Sequence, residues 1–218
     1  MAQHSVAFDW DDATDLAEQF PGVALPDSLG RAVRKRQAEF LAGRYCVREA
    51  MRACGPEHAD LLIAVGRNRE PVWPEGIVGA ITHTHHFASA ALARSRDARG
   101  IGLDAELVMT DDLATRLLDK IATLDEASAV ARKTGWGTGL ALTVIFSAKE
   151  TVFKCLYPQV GRYFGFHAAV IDVLDPDAGR FSARLLETLT PSLAAGLVLE
   201  GRFERDARSV CTAMILTP

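Results

Sequence analysis

The sequence predicts an α+β fold, because two kinds of periodicity follow one another with clear stops between them. Two long segments, about 28–54 and 138–157, repeat apolar residues at helical spacing and stop at Gly55-Pro56 and at Pro158. Several short segments, 78–84, 100–107 and four near the C-terminus, alternate like strands and are separated by turn-forming residues. No convincing internal repeat is visible. At 218 residues the chain suits one large domain or two small ones. Its hydrophobic share of 49% and charged share of 24% are those of an ordinary globular protein. A net charge of −4 gives no reason to expect binding of DNA or RNA, so any basic site for phosphates has to be local. No apolar run is fit to span a bilayer and no basic-then-apolar leader opens the chain, so the cytoplasm is the expected compartment.

The elements follow in order. Ser5 to Trp10 alternates and predicts an edge strand, while the acidic stretch to Gln19 reads as solvated surface. Pro21 to Asp27 is a loop, and Ser28 is an N-cap for the first long helix. On that helix Val33, Phe40, Val47, Met51 and Cys54 are expected to face the core. Cys46 and Cys54 would lie roughly 12 Å apart along it, too far for a disulfide. With Cys155 and Cys211 they are expected to be reduced thiols without metal-ligand spacing. Leu61 to Val65 predicts a strand and Gly66 to Pro71 a turn. Val78 to Thr84 predicts another strand. The alanine-rich Phe87 to Arg94 suits strand or helix, and its place between strands favours the former. After the strand at 100–107, Asp111 to Ile121 predicts a helix, and Thr123 with Glu126 forms a capping box opening another that stops near Gly135. The second long helix carries the stripe Leu140, Val144, Ala148, Val152 and Cys155, and is expected to stop at Pro158. Ala168–Leu174, Arg180–Glu187, Leu197–Arg205 and Ser209–Leu216 alternate, with a strong turn at Asp175–Gly179, and predict an antiparallel meander.

Two stretches carry the chemistry. In Gly100-Ile101-Gly102-Leu103-Asp104-Ala105-Glu106 the carboxylates are two residues apart, so a strand would point both to one face. In Phe146-Ser147-Ala148-Lys149-Glu150-Thr151-Val152-Phe153-Lys154 a helix would align Phe146, Glu150 and Lys154. Alone, Glu150 and Lys154 would be a routine surface pair worth about 0.3–0.5 kcal/mol. Three carboxylates with nearby lysines instead make a cradle for Mg²⁺ and a phosphate-bearing substrate, since Mg²⁺ takes hard oxygen ligands, substrate phosphates among them. His83, His85 and His86 invite a zinc reading, but no further ligand is placed to complete a site, so His85 and His86 are expected to be surface residues.

These two stretches resemble the signature of the 4′-phosphopantetheinyl transferases: a Gly-(Ile/Val)-(Gly/Ala/Ser)-(Ile/Val/Leu)-Asp-x-Glu strand followed by a (Trp/Phe)-(Ser/x)-x-Lys-Glu-(Ala/Ser/Thr)-x-x-Lys helix. The nearest branch is the longer single-chain type that activates siderophore, non-ribosomal peptide and polyketide synthases. Arg36-Gln37-Ala38-Glu39-Phe40-Leu41-Ala42-Gly43-Arg44-Tyr45-Cys46 resembles that family's Arg-x-x-Glu-Phe-x-x-(Gly)-Arg-x-Cys stretch, which implies that Arg36 and Arg44 reach the 3′-phosphate and adenine end of coenzyme A. They sit about 80° apart around a helix, so both can lean toward one ligand, and guanidinium matches phosphate. Gly66 to Pro74 resembles a segment in which a basic residue contacts the ligand; Arg69 is favoured and Arg67 is not separated from it. Gly79-Ala80-Ile81-Thr82-His83 resembles the family's Gly-Ser-(Ile/Leu)-(Ser/Thr)-His, which implies that Thr82 and His83 bind coenzyme A. Phe146 stands where many relatives have Trp, and Leu103 replaces a more usual β-branched residue; neither threatens the chemistry. The resemblance covers roughly residues 31–167.

The resemblance implies two similar α+β lobes related by a pseudo-twofold, 1–107 and 108–218, with the ligand in the cleft between them. It implies transfer of phosphopantetheine from coenzyme A to a serine of an apo acyl or peptidyl carrier protein, releasing adenosine 3′,5′-bisphosphate. Asp104, Glu106 and Glu150 would hold Mg²⁺, or Mn²⁺ in its place, with Asp104 also at the coenzyme A site. Lys149 and Lys154 would steady the phosphates, and Glu150 would take the serine proton directly or through a metal-bound water. A monomer is expected, with no nucleic-acid or membrane partner. Two rival readings keep the same residues: a non-catalytic coenzyme A-binding relative, and a metal-dependent phosphate-ester hydrolase.

Overall fold

The computed structural model describes residues 1–12, 14–55 and 63–218. They form two compact units, Met1–Arg99 with Pro218, and Gly100–Thr217. The expected division after residue 107 lies one strand later than this, because the strand from Gly100 pairs with the last strand of the chain.

The first unit places a helix, α2 (Arg34–Cys54), on a three-stranded antiparallel sheet ordered β1 (Ala2–Ala7), β5 (Phe87–Arg94), β4 (Ile77–His83). β1 is an edge strand, as expected, but it runs three residues earlier than the Ser5–Trp10 expected, and 87–94 is a strand. A hairpin pairs β2 (Ala64–Val65) with β3 (Pro71–Val72) across the predicted turn, in which Arg69 adopts φ 67°. Leu61 and Leu62 of the expected strand, and the Pro56 stop, lie outside the described residues, and the strand itself begins at Ala64.

The first long helix starts later than Ser28. Asp27–Leu29 is a separate 3₁₀ turn, and Val33 is extended at ψ 146°, so no helix can run through it. Gln37 ties the turn to the helix by donating to the carbonyls of Leu29 (3.0 Å) and Gly30 (3.2 Å). Val33 is accordingly exposed; the core face of α2 is Ala38, Leu41, Ala42, Cys46, Val47, Ala50 and Met51. The acidic stretch before it is not wholly surface. Asp15 caps the short α1 (Leu16–Gln19), and Leu16 and Phe20 are buried.

The second unit is a five-stranded antiparallel sheet ordered β6 (Gly100–Leu107), β10 (Ser209–Leu216), β9 (Val198–Arg205), β8 (Arg180–Leu185), β7 (Ala169–Asp175). The predicted meander β7 to β10 forms, and β6 adds to its last strand. α3 (Asp111–Ile121), α4 (Leu124–Thr134) and α5 (Thr138–Val160) pack with it, α5 being nearly buried. α5 runs past Pro158: so near the end of a helix a proline deletes one hydrogen bond only, and the stop comes at Gly161, which takes φ 65° and returns its N–H to the Tyr157 carbonyl at 2.9 Å. All four cysteines are free thiols.

Candidate active site

β6 and α5 meet unusually closely, and glycine is the reason. A Cβ on Gly100 would lie 2.1 Å from the Cys155 carbonyl oxygen, and one on Gly102 would lie 2.0 Å from that of Thr151. Two strand residues advance about 6.6 Å and one helical turn about 5.4 Å, so the two glycines underlie successive turns of α5. The next residues on that same face of β6 are Asp104 and Glu106. The Gly-x-Gly of the strand therefore brings the helix backbone down beside the carboxylates.

The carboxylates feel one another. Burial pushes Glu106 up to about 7, and the charges of Asp104 and Glu150 push it the same way, against the pull of Lys154. Burial raises Glu150 as well, opposed by Lys154 and reinforced by Asp104. Lys154 crosses from helix to strand, donating to Asp104 Oδ1 at 2.7 Å and to the Leu103 carbonyl at 3.2 Å. Asp104 is only 3% exposed, and its Oδ2 is buried without a hydrogen-bond partner among the described residues. Among those residues no group of three or more His, Cys, Asp or Glu side chains is gathered as a finished metal site. The donor set nevertheless fits a hard divalent cation: anionic oxygens, mutually destabilised, one of them an orphan.

Lys149 does not join them. It is buried and donates instead to Glu126 Oε2 at 2.8 Å and to the Ile121 carbonyl at 2.9 Å. Glu126 turns inward to meet it and accepts from the Ile171 N–H at 2.8 Å. The capping box is thus half formed: Thr123 Oγ1 accepts from the Glu126 N–H at 3.1 Å, while the Glu126 carboxylate is committed elsewhere. Committed to the Ile121 carbonyl and the Glu126 carboxylate, the Lys149 ammonium is not among the groups around Glu150.

In the first unit, α2 and β4 gather a second group. Glu39 lies 3.6 Å from Arg36 and 4.0 Å from His83, so it links two expected ligand residues. Arg44 stacks over Phe40, 5.2 Å from the ring centroid. Its Nη1 is buried without a hydrogen-bond partner among the described residues, and burial lowers its pKa. A guanidinium held this way favours an incoming anion. Thr82 is buried, whereas Arg67 and Arg69 are exposed on their turn. His85 and His86 are exposed as expected, His86 stacking on Trp10 with centroids 6.5 Å apart. Sequence reasoning assigned no role to Glu39, although it stands inside the quoted arginine stretch; it read Glu126 only as a capping-box residue and the last strand only as part of the meander.

Comparison with known proteins places the chain in a family. A profile described as the 4′-phosphopantetheinyl transferase N-terminal domain matches residues 25–93. One described as the 4′-phosphopantetheinyl transferase superfamily matches residues 100–212. The chain is 38% identical over 184 residues to the 4′-phosphopantetheinyl transferase Svp of Streptomyces mobaraensis, covering 79% of this chain and 70% of that one. It is 34% identical over 191 residues to Enterobactin synthase component D of Salmonella typhimurium, covering 88% and 77%. Against the 4′-phosphopantetheinyl transferase PptT of Mycobacterium tuberculosis it is 32% identical over 212 residues, covering 93% and 86%. With both profiles matched in order and its carboxylates set where β6 and α5 touch, the chain belongs to the 4′-phosphopantetheinyl transferase superfamily.

Proposed function

We propose that this transferase moves the 4′-phosphopantetheine of coenzyme A to a serine hydroxyl of an apo acyl or peptidyl carrier protein, releasing adenosine 3′,5′-bisphosphate. The observation that carries the reading is the group Asp104, Glu106, Glu150 and Lys154 on the closely packed β6 and α5. Asp104, Glu106 and Glu150 would hold Mg²⁺ or Mn²⁺, which when bound neutralises charge on the diphosphate. The serine oxygen bonds to the β-phosphorus as the bond from that phosphorus to the bridging oxygen breaks. Glu150 would take the serine proton, directly or through a water; in the cation-free chain burial raises its carboxyl. Lys154, paired with Asp104 in the ligand-free chain, can swing its ammonium to a phosphate oxygen. In the first unit, Arg36, Arg44 and His83, with Thr82 and one of Arg67 and Arg69, would hold the 3′-phosphate and adenine end.

The finer picture belongs to the same reading. Each unit sets a long helix on an antiparallel sheet, which supports two similar α+β lobes. Four free thiols suit a reducing cytoplasm. Among the described residues no helix is long and apolar enough to cross a membrane. A monomer and the absence of nucleic-acid partners complete the proposal.

Intact-mass measurement after incubation with coenzyme A, Mg²⁺ and a panel of apo carrier domains tests it. The expected result is one phosphopantetheine added to at least one carrier, lost in Glu150→Gln while coenzyme A still binds. Coenzyme A consumed without any carrier would make the chain a hydrolase instead. Binding with no added mass on any carrier would make it a binding protein. Near-normal transfer by Glu150→Gln would remove the base assignment.

A further inference from the structure

We propose that Thr212, on the last strand, is the positioning residue that holds the Glu150 turn of α5 against Asp104. The inference rests on the functional reading above, since it concerns the geometry of that reading's carboxylates. Thr212 is buried and lies directly opposite Asp104 in the β6–β10 pairing, on the face that meets α5. Its hydroxyl donates to the Ser147 carbonyl at 2.9 Å. The same oxygen lies 2.9 Å from Ser147 Oγ and 2.7 Å from Thr151 Oγ1. Thr151 Oγ1 also reaches the Thr212 carbonyl at 3.2 Å. The Thr212 hydroxyl gives its one proton to the Ser147 carbonyl and can accept from the Ser147 hydroxyl, while Thr151, also with one proton, donates either to the Thr212 hydroxyl or to the Thr212 carbonyl, so either way both ends of the turn are tied to Thr212.

Residues 147 and 151 are one helical turn apart, and Glu150 lies on the turn between them. A side chain fastened to both ends of that turn fixes its rotation and its height over the sheet. Because Thr212 is the cross-strand neighbour of Asp104, strand and helix carboxylates are referenced to one atom. Apolar packing alone leaves a helix free to slide by a fraction of an ångström, a tolerance that a divalent cation does not share. No ionisation is involved: the network is hydroxyls and carbonyls throughout.

The test compares Thr212→Val, which keeps the shape and loses the hydroxyl, with Thr212→Ser, which keeps the hydroxyl and loses a buried methyl. In Thr212→Val the Ser147 and Thr151 hydroxyls can turn back to carbonyls of their own helix, so the chain still folds. Mn²⁺ affinity of the full chain is read by electron paramagnetic resonance at saturating coenzyme A, beside kcat and KM for a carrier protein. Thr212→Val is expected to weaken Mn²⁺ binding about tenfold and to lower kcat with KM for the carrier unchanged, while Thr212→Ser stays within about twofold of wild type. Wild-type Mn²⁺ affinity in Thr212→Val, or an equal loss in Thr212→Ser, overturns the proposal. Should Thr212→Val not fold, Thr151→Val carries the same expectations. Wild-type protein that neither binds Mn²⁺ nor transfers would sink the functional reading instead.

Discussion

Glu106 is where burial and charge act most visibly on one side chain. Its carboxyl is raised from 4.5 to about 7, with burial the largest cause. Between those values the folded chain binds more protons here than the unfolded chain, so this group makes stability fall as pH rises across that window. Without divalent cation, the melting temperature should therefore be higher near about pH 5.5 than near about pH 7.5. Glu106→Gln should remove this part of the dependence, and identical melting-temperature profiles for the two chains would refute the shift. Added Mg²⁺ should raise the melting temperature more at the higher pH, where the carboxylate is ionised. Arg44 carries the matching expectation in the first unit. With Nη1 buried and unpartnered among the described residues, Arg44→Ala should weaken coenzyme A binding by about 1–3 kcal/mol, as calorimetry can measure; an unchanged dissociation constant would take Arg44 out of the site. The residue types were legible from the sequence, because carboxylates at i, i+2 and arginines on one helix announce an anion-and-cation chemistry. The orphaned oxygen of Asp104 was not, since it depends on which neighbours surround it.

At the scale of elements, the contact between β6 and α5 is the critical one. Gly102→Ala would set a Cβ 2.0 Å from a backbone oxygen, which no rotamer change can relieve. Strand and helix must part, so we expect a loss of about 1–3 kcal/mol in urea unfolding together with weakened Mg²⁺ dependence of transfer. Full stability in that variant would show that the approach is looser than described. The period of two put Asp104 and Glu106 on one strand face, and the strand and the helix were both legible, but the close approach of α5 to Gly100 and Gly102 was not. Their ends were less so. α2 begins at Arg34 because Val33 is extended, and α5 outlasts Pro158 because a glycine at 161 sets its stop. Helix ends are decided by a few local torsions, to which apolar periodicity is blind.

On the scale of the whole molecule, the second unit is tied together by a buried ion pair that the signature alone misreads. Lys149 and Glu126 join α5, α4, the end of α3 and β7 through three hydrogen bonds. Burial lowers the Lys149 pKa, opposed by the charge and hydrogen bond of Glu126. Lys149→Met should cost about 3–5 kcal/mol by stranding the Glu126 carboxylate. Adding Glu126→Gln, which keeps an acceptor for the Ile171 N–H, should recover a large share; a double variant no more stable than the single in urea unfolding would argue against the pair. The sequence by itself determined the α+β class, most of the elements, the shared face of Asp104 with Glu106 and that of Glu150 with Lys154, because period and spacing fix which side chains share a face; that the two pairs form one group was implied only by the family resemblance. Only the tertiary structure decided that Lys149 turns away to Glu126, that Glu39 links Arg36 to His83, and that Thr212 sits beneath the Glu150 turn. Those contacts join residues far apart in the chain, and which of them form depends on how helices and strands pack, a choice that periodicity within one segment does not encode.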